Sequence, residues 1–323
     1  MLYDLRLRIV TRYGAPAAQG RHIARVAPRD APGVQRVLRA TVTIAPDPDE
    51  RWEREDFFGN GEVEFAFRRP HDRVALRMEA RVERLALGMP PATSTPLAAL
   101  AAELAGSRDL GPLSPLHFLA PSAMVPREPA IAAWARGAAL QGLTAFDAAR
   151  ALTAALRREM TYDGEATEVD TPAAEAFAAR RGVCQDFSHI LIGALRSQGI
   201  PAGYVSGLIR TTPPAGRPRL EGADAMHAWV MAWCGAGAGW VELDPTNDCL
   251  AGPDHILVAR GRDYADVTPI KGIMRIAGGG QAGDHSVDVI PVGEGPPPPR
   301  PPGPPVASAP PAVRRGGRPW PAR

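Results

Sequence analysis

The chain has 323 residues, 45% of them hydrophobic, enough to build the cores of two ordinary domains. A formal net charge of +2, with acids and bases interspersed, excludes nucleic acid as the main partner. Three cysteines in so long a chain exclude a disulfide framework, and no apolar run reaches membrane-spanning length; together these predict a cytoplasmic protein with no membrane partner.

Residues 1–88 read as strands. Leu5, Leu7 and Ile9 alternate with Asp4, Arg6 and Arg8, the period of two that half-buries a strand and has nothing of a signal peptide's continuous apolar core. Residues 37–44 are rich in β-branched side chains and stop before Pro46. Asp56-Phe-Phe-Gly-Asn-Gly61 predicts a hairpin turn between strands at 51–58 and 62–67, and 74–82 alternate again. Short strands separated by turn signals predict an antiparallel β-sandwich domain. His22 and His71 stand alone there and are expected to be structural.

From 89 the period becomes helical, interrupted by prolines at 90, 91, 96, 112, 115, 121, 126 and 129. Helices are expected at 97–104, 130–137, 145–160 (capped by Thr144) and 172–179. Phe187, Ile190, Leu191, Ala194 and Leu195 mark one apolar stripe of a further helix, which Gly199 and Pro201 end. Cys184 falls in its first turn, where unpaired N–H groups and the positive end of the helix dipole favour thiolate over thiol. Strands follow at 203–209, 227–233, 240–244, 254–259 and 286–292, with a loop at 211–222. The division is therefore a β domain at 1–88, a catalytic domain at 89–291, and a Pro/Arg-rich tail at 292–323 with hardly any apolar residues that could build a core.

Two residues downstream complete a nucleophile set with Cys184: His227, within Ala-Met-His-Ala-Trp, and Asp244, within Trp-Val-Glu-Leu-Asp-Pro. A thiolate can attack an amide carbonyl, an imidazole can hold the thiolate and protonate the leaving group, and a carboxylate can fix the imidazole tautomer. The two strands supply this geometry only in a register whose paired residue numbers sum to an odd value, such as Trp233 opposite Trp240; a one-residue slip sends His227 and Asp244 to opposite faces.

Gly-Val-Cys-Gln-Asp-Phe-Ser-His at 182–189, Gly-Ile-Pro-Ala-Gly-Tyr-Val-Ser-Gly at 199–207, His-Ala-Trp at 227–229, Gly-Trp-Val-Glu-Leu-Asp-Pro-Thr-Asn at 239–247 and Gly-Arg-Asp-Tyr-Ala-Asp-Val at 261–267 resemble the bacterial transglutaminase-like superfamily. Arg29-Asp30 and Asp56-Phe-Phe-Gly-Asn60 are similar to that family's N-terminal β domain. The resemblance implies an α+β fold with a papain-like core, in which a helix carries the cysteine and an antiparallel sheet carries His and Asp. It also implies Cys184 as nucleophile, His227 as base and acid, and Asp244 as orienter. Met226 and Leu208 depart from the family pattern at positions that bear on substrate preference.

The expected reaction is acyl transfer at a protein or peptide amide through a thioester, with hydrolysis preferred over protein-glutamine transamidation. An inactive partner-binding scaffold is the non-enzymatic alternative. The Cys184 N–H is the natural oxyanion donor; Gln185, Trp229 or the 110–130 segment are candidates for a second donor or pocket wall. Asp186 is expected to cap the helix and His189 to be structural. Cys184, His189, His227, Cys234, Cys249 and His255 lack C-x-x-C or H-x₃₋₅-H spacing, so no metal or other cofactor is expected. Nor does the cysteine spacing offer a resolving thiol for redox chemistry. The tail's Pro-Pro-Pro-Pro-Arg could offer only a weak polyproline ligand beside its plain reading as an unstructured segment.

Overall fold

The computed structural model describes residues 1–85, 93–211, 220, 222–276, 278 and 280–293. The expected boundary at 88, most of the expected 211–222 loop and the tail beyond 293 lie outside the described residues.

β1 (Leu2–Ala24) is the spine of the N-terminal part, with Tyr3, Leu5 and Leu7 turned inward between charged neighbours. β2 (Gln35–Ala45), β3 (Glu50–Glu55), β4 (Gly61–Phe67) and β5 (His71–Arg84) join it in the order β2-β5-β1-β4-β3. β1 pairs with β5 through its first half and with β4 from residue 20 onward; the register breaks between Arg12 and Ala17, and Gln19 takes a left-handed φ of 54°. The bend lets one strand serve both layers of a curled antiparallel sheet, so that Leu5 and Leu76 share a core with Phe65 and Phe67. The expected hairpin forms, but β3 ends at Glu55. There Asp56 folds back and its carboxylate accepts the backbone and side-chain N–H groups of Asn60, each at 2.9 Å.

α1 (Leu97–Gly106), α2 (Pro129–Gly137) and α3 (Ala145–Glu159) occupy the segments of helical period, and Thr144 Oγ1 caps α3 by accepting the Asp147 N–H at 3.1 Å. Then come β6 (Thr161–Tyr162), α4 (Ala173–Ala179) and β7 (Arg181–Gly182); β6 and β7 pair in parallel and lead into α5 (Cys184–Ser197). The apolar stripe on α5 predicts a half-buried helix, yet Gln185 through Ile192 are buried without a break. The reason is that α5 packs against α2, α3 and α4 as well as against the sheet. Three of its buried polar side chains have partners: Gln185 donates to the Val169 carbonyl, Asp186 accepts the Val183 N–H and His189 Nε2 accepts the Tyr264 N–H at 3.2 Å.

β8 (Ala202–Ile209), β9 (Ala225–Trp233), β10 (Trp240–Asp244), β11 (Cys249–Leu250) and β12 (His255–Gly261) form an antiparallel sheet in the order β11-β10-β9-β8-β12. Ala228, Val230 and Ala232 share the α5 core, whereas Val205, Trp229, Met231 and Leu257 pack with Ala31 and Phe58 of the N-terminal part. The edge strand β12 is covered by two buried side-chain amides. Gln35 gives Nε2 to the Leu257 carbonyl at 2.7 Å and takes the Leu257 N–H at 2.9 Å. Asn60 does the same with Arg260, at 2.7 and 2.8 Å. These four bonds stand in for a missing neighbouring strand.

After α6 (Tyr264–Val267) the chain returns to the first sheet. β13 (Ile270–Ile276) and β14 (Gln281–Pro291) both pair with β1. Residues 270–291 therefore belong by pairing to the N-terminal sheet. Alternation identifies a strand such as β14, but not the strand it pairs with. β13 carries a weaker alternation and was not expected at all.

Candidate active site

Cys184 is the first residue of α5 and is half-buried. Asp186 holds the turn: its Oδ2 accepts the Val183 N–H at 2.8 Å and the Thr167 hydroxyl at 2.6 Å. Its burial raises the carboxyl above the usual range, against the opposing pull of those hydrogen bonds. The carboxylate lies so close to residue 182 that a Cβ there would meet Oδ2 at 2.6 Å, which accounts for the glycine two before the cysteine.

β9 and β10 pair with Trp240 opposite Trp233 and Leu243 opposite Val230, the odd-sum register. His227 Nε2 consequently donates to Asp244 Oδ2 at 2.8 Å. Cys184 is the ring's other partner in raising its pKa, and Nδ1 is the nitrogen that remains to face it. Asp244 is fully buried and its oxygens are filled by donors. Oδ1 accepts the N–H groups of Thr246 and Asn247 at 2.9 and 3.2 Å, and Oδ2 also accepts Asn247 Nδ2 at 2.6 Å and His255 Nε2 at 3.0 Å.

Burial alone would make Asp244 hard to ionise, but the donors from His227, His255 and Asn247, with the His227 charge, hold its carboxyl far below the ordinary carboxylate range. For His227 the opposition runs the same way. Burial pushes the imidazole down, while hydrogen bonds to Asp244 and Cys184 and their charges outweigh it and carry the pKa up to about 9.

Trp229 closes the floor of the cluster. Its ring centroid is 6.1 Å from His227 and 5.2 Å from His255, and its Nε1 donates to Glu242 Oε2 at 2.9 Å. Arg260 pairs with the same carboxylate. Glu242 is buried, which would raise its pKa, but Arg260 and the Trp229 donor keep it below the usual range.

His227, Asp244 and His255 bring three ligand atoms within 4.8 Å of one another, as a metal site would. The hydrogen bonding of His255 does not fit that role. Its Nδ1 accepts the Gly252 backbone N–H at 3.1 Å, so the ring proton sits on Nε2, the atom that would have to coordinate.

A transglutaminase-like superfamily core model matches residues 132–245, and a bacterial transglutaminase-like N-terminal region model matches residues 3–83. An uncharacterized protein of Mycobacterium tuberculosis (strain H37Rv) is 35% identical over 278 residues, which cover 80% of this chain and 82% of that protein. The chain belongs to the transglutaminase-like superfamily. An uncharacterized protein of Mycobacterium leprae is 32% identical over 279 residues, 83% of this chain and 92% of that one. The crystal structure of a protein from Cytophaga hutchinsonii, described as a candidate cysteine protease, superposes with a TM-score of 0.67 over 92% of this chain and 93% of that one. At 19% identity that likeness concerns the fold.

In this transglutaminase-like chain, then, Cys184, His227 and Asp244 come together, and the other expected site residues do not all join them. Gln185 is buried and gives its Nε2 to the Val169 carbonyl at 2.8 Å, which ties down the 163–171 loop. Trp229 is wholly buried and committed to Glu242, so it shapes the site from beneath without meeting solvent. His189, expected to be structural, is buried, which pushes its pKa down to about 4, and its ring lies tilted at 48° to Tyr204 with centroids 5.2 Å apart. His255 and Asn247 are the members that residue-by-residue reading missed. His255 opens β12 after an unremarkable Gly-Pro-Asp, and two strands, β9 and β8, lie between β12 and β10 in the sheet, so no local pattern joins it to Asp244.

The described residues contain no helix long and apolar enough to cross a membrane.

Proposed function

We propose that this protein is a cysteine-dependent amide hydrolase, acting on protein or peptide amides through a thioester on Cys184. The observation that carries the reading is the His227 ring held at Nε2 by the buried Asp244 carboxylate at 2.8 Å, with Cys184 at the start of α5 as the ring's other electrostatic partner. An imidazole with its pKa near 9 keeps its second proton at neutral pH, and a facing imidazolium stabilises a thiolate.

The thiolate attacks the amide carbon, and the developing oxyanion meets the Cys184 N–H at the free N-terminus of α5. His227 passes its proton to the leaving nitrogen, the C–N bond breaks, and a thioester and a free amine result. His227, now neutral, takes a proton from water. The hydroxide so formed attacks the thioester, and the acid leaves as the Cys184–His227 pair is restored. Asp244 stays ionised throughout and keeps Nδ1 directed at the sulfur.

Three free cysteines suit a reducing compartment, which favours the cytoplasm as the place of action, with water the simplest acceptor. The test is incubation of the full chain with peptide and protein amides, with and without a primary amine, followed by mass spectrometry. Hydrolysed product from the wild type and none from Cys184→Ala is expected. Equal turnover by both ends the enzyme reading; amine incorporation replaces hydrolysis by transamidation.

A further inference from the structure

The reaction above leaves one buried imidazole of the cluster without a task. His255 opens β12 and donates from Nε2 to the same Asp244 oxygen that His227 uses, 3.0 Å away. Its tautomer is set from behind by the Gly252 N–H on Nδ1, at 3.1 Å. That backing is in turn held by the N-terminal sheet. Buried Arg84, at the end of β5, donates Nη2 to the Gly252 carbonyl at 3.0 Å. Tyr3 of β1 gives its hydroxyl to Asp254 at 3.0 Å, and Gln35 of β2 binds Leu257 through both backbone groups. Trp229 meets the His255 ring edge to face at 5.2 Å and removes its freedom to swing.

We propose that His255 is a positioning residue, a fixed Nε2–H donor that locks Asp244 in the orientation from which it aligns His227 with Cys184. This role rests on the catalytic reading of Cys184, His227 and Asp244. It also assigns work to the N-terminal sheet: Arg84, through Gly252, sets the donor that steadies the carboxylate. Without His255 the carboxylate would be held only by His227 of β9 and by the 246–247 turn; the His255 donor adds the hold from the β12 side on the Oδ2 that faces His227. The titratable and charged groups that face this network are Cys184, His227, Asp244, Cys249, Asp254, Tyr3, Arg84, Arg210, Glu242 and Arg260.

The test follows alkylation of Cys184 by iodoacetamide, read by peptide mass between pH 5 and 10, in the full-length wild type, His255→Gln and His255→Phe. Gln retains an N–H donor near the Nε2 position; Phe retains the ring without one. The Phe variant should alkylate at least about tenfold more slowly at pH 7, with the rise of its profile displaced to higher pH than in the wild type. The Gln variant should recover to within about threefold. A Phe profile that overlays the wild type, or a Gln variant no better than Phe, overturns the proposal. Nitrogen-15 NMR of the wild-type imidazoles tests it without any substitution, should the Phe variant not fold: His255 must carry its proton on Nε2 with Nδ1 bare, and an Nδ1-protonated ring overturns the assignment. Iodoacetamide reports the Cys184–His227 pair and needs no amide turnover, so a chain that hydrolyses nothing can still pass or fail this test.

Discussion

Trp240 lies directly across from Trp233, and this pairing decides that Asp244 and His227 stand on one face of the sheet. A slip by one residue would leave the carboxylate among the α5 contacts and the imidazole without an orienter. Every chemical expectation for the site passes through that register.

Asp244→Asn removes the charge that most favours His227 as imidazolium and sets a side-chain N–H₂ among groups that are themselves donors. Turnover of a responsive amide should fall by about 10²–10⁴-fold, mostly in kcat. The His227 imidazole should titrate below its wild-type value of about 9. Steady-state kinetics and imidazole NMR on the same sample read both effects.

The pH dependence has a definite sign. His227 is raised from 6.5 to about 9 on folding, so the stability it contributes is fully present below pH 6.5 and is lost as pH rises through about 9. The shift corresponds to roughly 3 kcal/mol. Urea unfolding at pH 6 and at pH 10 should show the loss, and His227→Gln should flatten the difference. Acylation should decline over the same alkaline range as the leaving nitrogen loses its proton donor.

Gly207→Ala tests how the floor of the site is built. A Cβ at 207 would meet the Ile256 carbonyl oxygen at 2.2 Å and the Trp229 ring at 2.3 Å. Neither backbone nor a wholly buried indole can yield cheaply, so the cost should be about 3 kcal/mol. A lower urea midpoint at unchanged m is the expected result.

Asn60→Ala strips two hydrogen bonds from Arg260 on β12 and leaves a buried N–H and carbonyl unpaired. The expected destabilisation is about 2–4 kcal/mol. Faster hydrogen exchange at the Arg260 amide than at Leu257, which Gln35 still holds, would localise the damage to that end of the edge strand.

Local pattern was enough for much of this protein. Helices at α1, α2, α3 and α5, the hairpin at 56–61 and the placing of Cys184 at a helix start follow from periodicity, caps and turn residues, which act over a few neighbours. The pairing rule for β9 and β10 was also legible, because side chains on a strand alternate with a period of two. Tertiary structure decided what no local pattern carries. It buried α5 on all sides, sent β13 and β14 back to β1, and committed Gln185 to Val169 and Trp229 to Glu242. It also brought His255 against Asp244 from the far edge of the sheet. Those outcomes depend on which surfaces meet once the elements pack, and a buried polar group takes whichever partner the packing brings within reach.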